Sequence, residues 1–342
     1  MRPGEAQGDT LAAELAVTRG AWRRELAGAI RDLDELWQRL RLPGAPGPAE
    51  RAAAQAFPLV VPESFVVRMR MGDLTDPLLR QVLPVAQEGD AVPGYGPDPV
   101  GESDCSLAPG LLHKYQGRAL LVTSGACAVH CRYCFRRHFP YQALPTGRRW
   151  WEPARQAMVA DGSLEELLLS GGDPLTLPDS LLAELVTDFG SIPHLRRVRI
   201  HTRLPVVLPS RVDDALTDWI RASRQTVVVV IHANHPDEID VSVAAACRRL
   251  SAAGAVVLNQ SVLLAGVNAQ ADVLADLSQR LIAAGVVPYY LHQLDPVAGA
   301  AHFAVSDESA RQLIDQLRIQ LPGYLVPRLV REVAGDSSKR PL

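Results

Sequence analysis

Lysine is nearly missing from this chain. Of 35 lysines and arginines only Lys114 and Lys339 are lysine, so arginine serves as the generic surface cation. A lysine kept against that bias points to work a guanidinium cannot do, such as offering a primary amine to an aldehyde, because arginine is never deprotonated in proteins. The bland alternative is two ordinary surface lysines. Excess positive charge is also absent: the formal net charge is −3, which argues against non-specific nucleic-acid binding. Long apolar runs are lacking, the longest β-like one being Val227 to Ile231, far short of the roughly 20 residues that span a bilayer. The opening MRPGEAQGDTLAAELAV has no basic-then-apolar secretory pattern. These absences read as a cytoplasmic protein without a membrane or nucleic-acid partner. Cysteine is sparse and odd in number: Cys105 and Cys247 stand alone, whereas Cys127, Cys131 and Cys134 crowd together. That does not suggest a disulfide framework but a metal, with the two isolated cysteines structural.

What is present is an ordinary globular mixture, 47% hydrophobic and 21% charged over 342 residues, enough for two domains or one large barrel. Residues 11–41 carry Leu15, Trp22, Leu26, Ile30, Leu33, Trp37 and Leu40 at spacings of three, four and seven, which predicts an amphipathic helix ended by the Pro/Gly stretch at 42–48. Residues 88–109 read as loop. From residue 118 the texture alternates regularly. Apolar, β-rich runs at 119–123, 166–169, 197–201, 226–231, 255–258 and 286–291 are separated by helical patterns near 150–160, 178–189, 211–222, 241–253, 271–284 and 307–320. Strands alternating with helices imply βαβ units on a parallel sheet. A polar cluster follows each strand, from the cysteines through SGGDP, HTRLP, HANHP and NQS to HQLDP. In a barrel all six clusters converge on one face, whereas a doubly wound sheet spreads them along an edge. The expectation is an α/β fold, a partial (β/α)6 barrel with an N-terminal mainly helical extension. Its divisions are 1–110, 111–325 and a C-terminal segment 326–342.

The spacing Cys127-x-x-x-Cys131-x-x-Cys134 is the strongest signal. Three thiolates on a short loop can hold three irons of a [4Fe–4S] cluster and leave the fourth open. The alternative is a Cys3His zinc site using His130 or His138, although no second knuckle is present.

With this loop placed after the first barrel strand, the chain resembles the radical S-adenosylmethionine (SAM) superfamily, and SGGD at 170–173 resembles its glycine-rich SAM-binding element. A narrower resemblance runs from about residue 57 onward. It rests on DPLLRQ (76–81), LLHKY (111–115), CRYCFRR (131–137), SGGDP (170–174), RLPVVLP (203–209), HANHP (232–236) and NQSVLL (259–264). These blocks are similar to the lysine 2,3-aminomutase family, particularly its short members, the aminomutases of elongation factor P β-lysylation.

That resemblance implies a radical-SAM isomerase moving the amino group of L-lysine from C2 to C3, with three cofactors: a [4Fe–4S] cluster, SAM and pyridoxal 5′-phosphate (PLP). It implies Cys127, Cys131 and Cys134 as cluster ligands and Lys339 as the Schiff-base lysine for PLP. Lys114, Arg118, Arg132 and Gln260 fall around the PLP phosphate; Ser170, Gly171, Gly172, Asp173 and Arg203 are further cofactor contacts. Arg136 matches the position for the substrate carboxylate, and Asp295 and Glu332 the two acidic positions for its distal ammonium. His232 and His235 are either ligands or satisfied core histidines. The implied partners are an external electron donor and, by function, elongation factor P with its β-lysine ligase. The alternatives are an aminomutase for arginine or glutamate, the latter disfavoured by the acidic pair, and a non-catalytic metal-binding scaffold.

Overall fold

The computed structural model describes residues 20–342. Three helices open the described chain, α1 (Ala21–Ala27), α2 (Leu33–Arg39) and α3 (Pro48–Ala56). The single helix expected over 11–41 is therefore two, and its residues 11–19, Leu15 among them, lie outside the described part. The break has a local cause. Ile30 exchanges backbone hydrogen bonds with Val61 at 2.8 and 3.0 Å, and Asp32 then caps α2 by accepting from the Glu35 N–H. Both helices still bury members of the predicted stripe, with Trp22, Leu33 and Trp37 inside.

Ten strands form one sheet in sequence order: β1 (Ser106–Ala108), β2 (Leu111–Tyr115), β3 (Arg118–Ser124), β4 (Glu166–Gly171), β5 (Arg197–Thr202), β6 (Thr226–Ile231), β7 (Val256–Val262), β8 (Val287–His292), β9 (Arg328–Arg331) and β10 (Arg340–Pro341). β3 through β9 run parallel, and β1, β2 and β10 are antiparallel at the two edges. Six helices cross between the parallel strands: α4 (Glu152–Ala160), α5 (Asp179–Gly190), α6 (Asp214–Ala222), α7 (Val241–Ala252), α8 (Ala271–Ala283) and α9 (Asp307–Gln320). The alternation read from sequence is thus present, and a seventh parallel strand, β9, follows the last helix.

The sheet is open but strongly curled. Lys114 on β2 and Glu332, one residue past β9, form an ion pair at 2.8 Å, although seven strand spacings separate them. A flat sheet would hold them roughly 33 Å apart at about 4.8 Å per strand. The curl makes a partial barrel. One face of each strand packs on the helices: Val198, Ile200 and Thr202 of β5 are buried, while Arg197, Arg199 and His201 alternate toward the lumen. Among the described residues no helix is long and apolar enough to cross a membrane.

Candidate active site

The C-terminal ends of the parallel strands carry the site, beginning with the loop that leaves β3 at Ser124. Cys127, Cys131 and Cys134 on it are half-buried and free. Burial, and then each other's charge, push Cys134 up to about 11 and Cys127 well above its ordinary value. Thiols that oppose one another's ionisation in this way are ready for a cationic centre, which would reverse the balance. Among the described residues no three or more His, Cys, Asp or Glu converge to hold a single ion. His130 Nδ1 lies 2.7 Å from the Pro58 carbonyl and His138 Nε2 3.2 Å from that of Ala298, so neither histidine completes the alternative zinc set. Three soft thiol donors on one loop match the ligand set of an iron–sulfur cluster, which binds each on a separate iron.

The glycine element after β4 is built against this loop. A Cβ on Gly172 would fall 2.4 Å from the Ala126 carbonyl oxygen, and one on Gly171, at φ +123°, 2.5 Å from that of Ser124. Gly172 and Asp173 donate their N–H groups to those same two carbonyls at 2.7 and 2.8 Å. The glycines thus admit the cysteine loop's own backbone. Asp173 is buried and accepts from Thr202 Oγ1 at 2.8 Å and from the N–H groups of Arg203 and Leu175 at 2.7 and 3.0 Å. Burial nevertheless outweighs those bonds and pushes its carboxyl up to about 6. Arg203 donates to Cys131 Sγ at 2.6 Å.

Arg136, two residues past the last cysteine, is buried with both arms on Glu102, at 2.8 and 2.6 Å, and a third donor on Ser170 Oγ at 2.7 Å. This is the fork geometry of a carboxylate receptor, here satisfied by the protein's own carboxylate.

Deeper in the lumen the chain's only two lysines share one carboxylate. Lys114 Nζ donates to Glu332 Oε1 at 2.8 Å and Lys339 Nζ to Oε2 at 2.6 Å. Burial opposes ionisation of Glu332, but the two ammonium groups pull it down to about 2. Buried Asp295, by contrast, is pushed up to about 7 by burial and then by Glu332, and its Oδ1 has no partner. His201, His232 and His292 face the same space with Nε2 unpartnered. Burial, reinforced by surrounding cations, holds His232 down to about 3 and the other two well below their ordinary range, so all three are neutral. Arg136 and Lys339 both act on His201 and His232. The His201–His232 pair, with ring centroids 5.7 Å apart, thus lies within electrostatic reach of both the cysteine end and the lysine end.

No family model matches the chain. It is 47% identical over 326 residues to an L-lysine 2,3-aminomutase of Escherichia coli strain K12, covering 95% of each chain. To that of Haemophilus influenzae it is 44% identical, over 93% of this chain and 94% of the relative. The chain belongs to the L-lysine 2,3-aminomutase family. A more distant member, from Clostridium subterminale, is 32% identical over 94% of this chain and 77% of its own. Among solved structures there is a likeness to a radical SAM methyltransferase from Sphaerobacter thermophilus, at 19% identity and TM-score 0.44, over 65% of this chain and 68% of that one.

In this family member the structure brings Lys114, Lys339 and Glu332 into contact, with Asp295 within their electrostatic reach, Arg136 at the cysteine end and Gln260 on β7. Arg118 opens β3 beside Lys114: its guanidinium lies 4.7 Å over the Tyr115 ring, over which Lys114 Nζ also lies, at 5.8 Å. Arg132 is not brought there. It is fully buried under the N-terminal helices, paired with Glu88 and donating to the Phe57 and Ala53 carbonyls, which leaves no face toward the lumen. His235 also turns away, its Nδ1 accepting from the Asp237 N–H at 3.2 Å. Sequence reading missed Glu102, Glu238, His201 and His292. The two histidines could have been found from the polar clusters that end β5 and β8; the carboxylates lie in segments with no pattern.

Proposed function

We propose that the chain is a radical-SAM, PLP-dependent L-lysine 2,3-aminomutase, an isomerase converting α-lysine to β-lysine. The observation that supports this reading is that, in a chain of this family, Lys339 is held inside the curled sheet by Glu332 while the three-thiol loop leaves β3 of the same sheet. When bound, the cluster and SAM supply a carbon-centred radical and PLP supplies an imine through which nitrogen can migrate. The chain's own residues bind and orient. Cys127, Cys131 and Cys134 hold the cluster, and the Ser170–Asp173 turn with Arg203 borders it. Lys339 presents the primary amine; Lys114, Arg118 and Gln260 face the anionic cofactor, and Arg132 keeps the N-terminal helices in place instead. Arg136 receives the substrate carboxylate in exchange for Glu102. Asp295 and Glu332 receive the distal ammonium, Glu332 releasing Lys339 as that amine is engaged.

We further propose a cytoplasmic enzyme drawing electrons from an external donor and supplying β-lysine for elongation factor P through a separate ligase. The resemblance to the short members supports this. The test is anaerobic incubation of iron-reconstituted protein with L-lysine, SAM, PLP and a reductant, followed by product analysis. β-Lysine is expected. SAM cleavage without β-lysine, or a faster reaction with arginine or glutamate, overturns the substrate assignment; no cluster and no SAM cleavage leaves the scaffold reading.

A further inference from the structure

Arg203 places a guanidinium directly on the cysteine loop, and buried partners on its Nη2 hold it there. Its Nη1 donates to Cys131 Sγ at 2.6 Å. Its Nη2 is held by Gln81 Oε1 at 2.6 Å and Glu238 Oε2 at 3.0 Å. The Arg203 backbone N–H is fixed by Asp173 Oδ2 at 2.7 Å, and the guanidinium carbon lies 5.4 and 5.7 Å from the Phe65 and Tyr133 ring centroids. Both charged partners are buried, with side-chain exposures of 6% for Arg203 and 0% for Glu238. Glu238 is itself pinned by the N–H groups of Asn234 and His235 at 2.8 and 3.0 Å. A long arginine that only needed a counter-charge would find one at the surface; here its tip is carried to a sulfur.

A guanidinium cannot lose its proton, so the sulfur can only accept. Hydrogen bonds and positive charge at a cluster sulfur favour the more negative, reduced state, and buried surroundings leave that effect weakly screened. We propose that Arg203 is a positioning residue that sets the reduction potential of the cluster held by Cys127, Cys131 and Cys134, raising it through the N–H···S bond to Cys131, and that Glu238 opposes it as the tethering counter-charge. The step tuned is the entry of one electron from an external low-potential donor into the cluster; no bond breaks. The inference rests on the cluster assignment above and gives Arg203 a task distinct from contact with SAM.

The experiment uses the full-length protein, reconstituted anaerobically, with iron per chain measured first. The reduced cluster is then followed by electron paramagnetic resonance against poised mediator dyes, without SAM. At a poise below the wild-type midpoint, Arg203→Gln should lower the ratio of reduced to oxidised cluster about tenfold, which is about 59 mV for a one-electron couple. Glu238→Gln should move it the opposite way. An unchanged midpoint in Arg203→Gln, or both variants shifting in the same direction, overturns the proposal. So does an altered SAM dissociation constant with an unmoved midpoint, the signature of a SAM contact. Should Arg203→Gln fail to hold iron, Glu238→Gln decides alone: a raised midpoint supports the proposal and an unchanged or lowered one overturns it. Wild-type protein without iron would overturn the cluster assignment itself, whereas a wild-type cluster with unmoved variants would overturn only the tuning.

Discussion

At the scale of single residues the informative contrast is between two buried carboxyls that feel each other's charge. Glu332 lies between two ammonium groups and is held at about 2, while Asp295 is pushed up to about 7 by burial and then by the like charge of Glu332. The signs differ accordingly. Glu332 contributes stability above the ordinary carboxylate range that is lost as pH falls toward 2. Asp295 binds a proton in the folded state that the unfolded chain has released, so stability declines as pH rises from the ordinary range through 7. A carboxylate that receives an ammonium must be ionised, so kcat/KM for lysine should rise as pH passes about 7. In Asp295→Asn that limb should vanish. Removing one partner of a buried charge pair costs about 3–5 kcal/mol, so kcat/KM should fall roughly 10²–10⁴-fold with SAM cleavage little changed. A pH profile of both proteins checks this, and a loss under about tenfold would mark Asp295 as a solvated acid. Lys339 carries a second prediction: borohydride treatment with PLP should fix a pyridoxyl group there, located by peptide mapping, and Lys339→Arg should abolish the label because no reactive amine remains. Label on Lys114 would reverse the assignment of the two lysines that Glu332 joins.

At the scale of elements the glycine turn after β4 explains why a short motif follows a strand at that point. Its two glycines let the turn lie on the backbone of the cysteine loop, with carbonyls where side chains would be. Gly172→Ala should therefore push the two loops apart, costing about 1–3 kcal/mol as overpacking does and reducing iron retained after reconstitution. Iron analysis beside a thermal melt separates the two effects, and an unperturbed loop would show as wild-type iron content. The strands themselves were legible because each carries apolar residues at least on its helix-facing side, and β6, TVVVVI, is an almost unbroken apolar run. β9 was not: RLVR is four residues with an arginine at each end, a pattern that becomes a strand only because β8 offers it an edge. The first helix was misread for a similar reason, since the pairing of Ile30 with Val61 interrupts a periodic stripe that local propensity would continue.

At the scale of the whole molecule the decisive event is the curling of the sheet, which brings β2 against the end of β9 and so places Lys114, Glu332 and Lys339 together. The N-terminal segment is tied to the barrel by Glu88, whose buried carboxylate pairs with Arg132 and with Arg137 at 2.7 Å. Glu88→Ala would leave two buried guanidinium groups without their counter-charge. The expected loss is about 3–5 kcal/mol of stability, read as a lowered denaturation midpoint, while Glu50→Ala, at the start of an exposed helix, should cost only about 1 kcal/mol as a lost cap. A small loss at Glu88 would mean that the N-terminal helices are held by apolar packing alone.

Sequence by itself determined the alternation of strand and helix, the crowding of three thiols and the scarcity of lysine, because each is written in local order or in counts that survive unfolding. It also marked Lys339, Asp295 and Glu332 by their resemblance to a family. What it left undecided is which charges meet. Arg132 and Arg136 are four residues apart on one loop, yet one turns under the N-terminal helices to Glu88 and the other into the barrel to Glu102. Glu102 and Glu238 have no local signal at all. Their partners are distant in sequence, and only the curling of the sheet, which buries these side chains beside one another, selects those pairs.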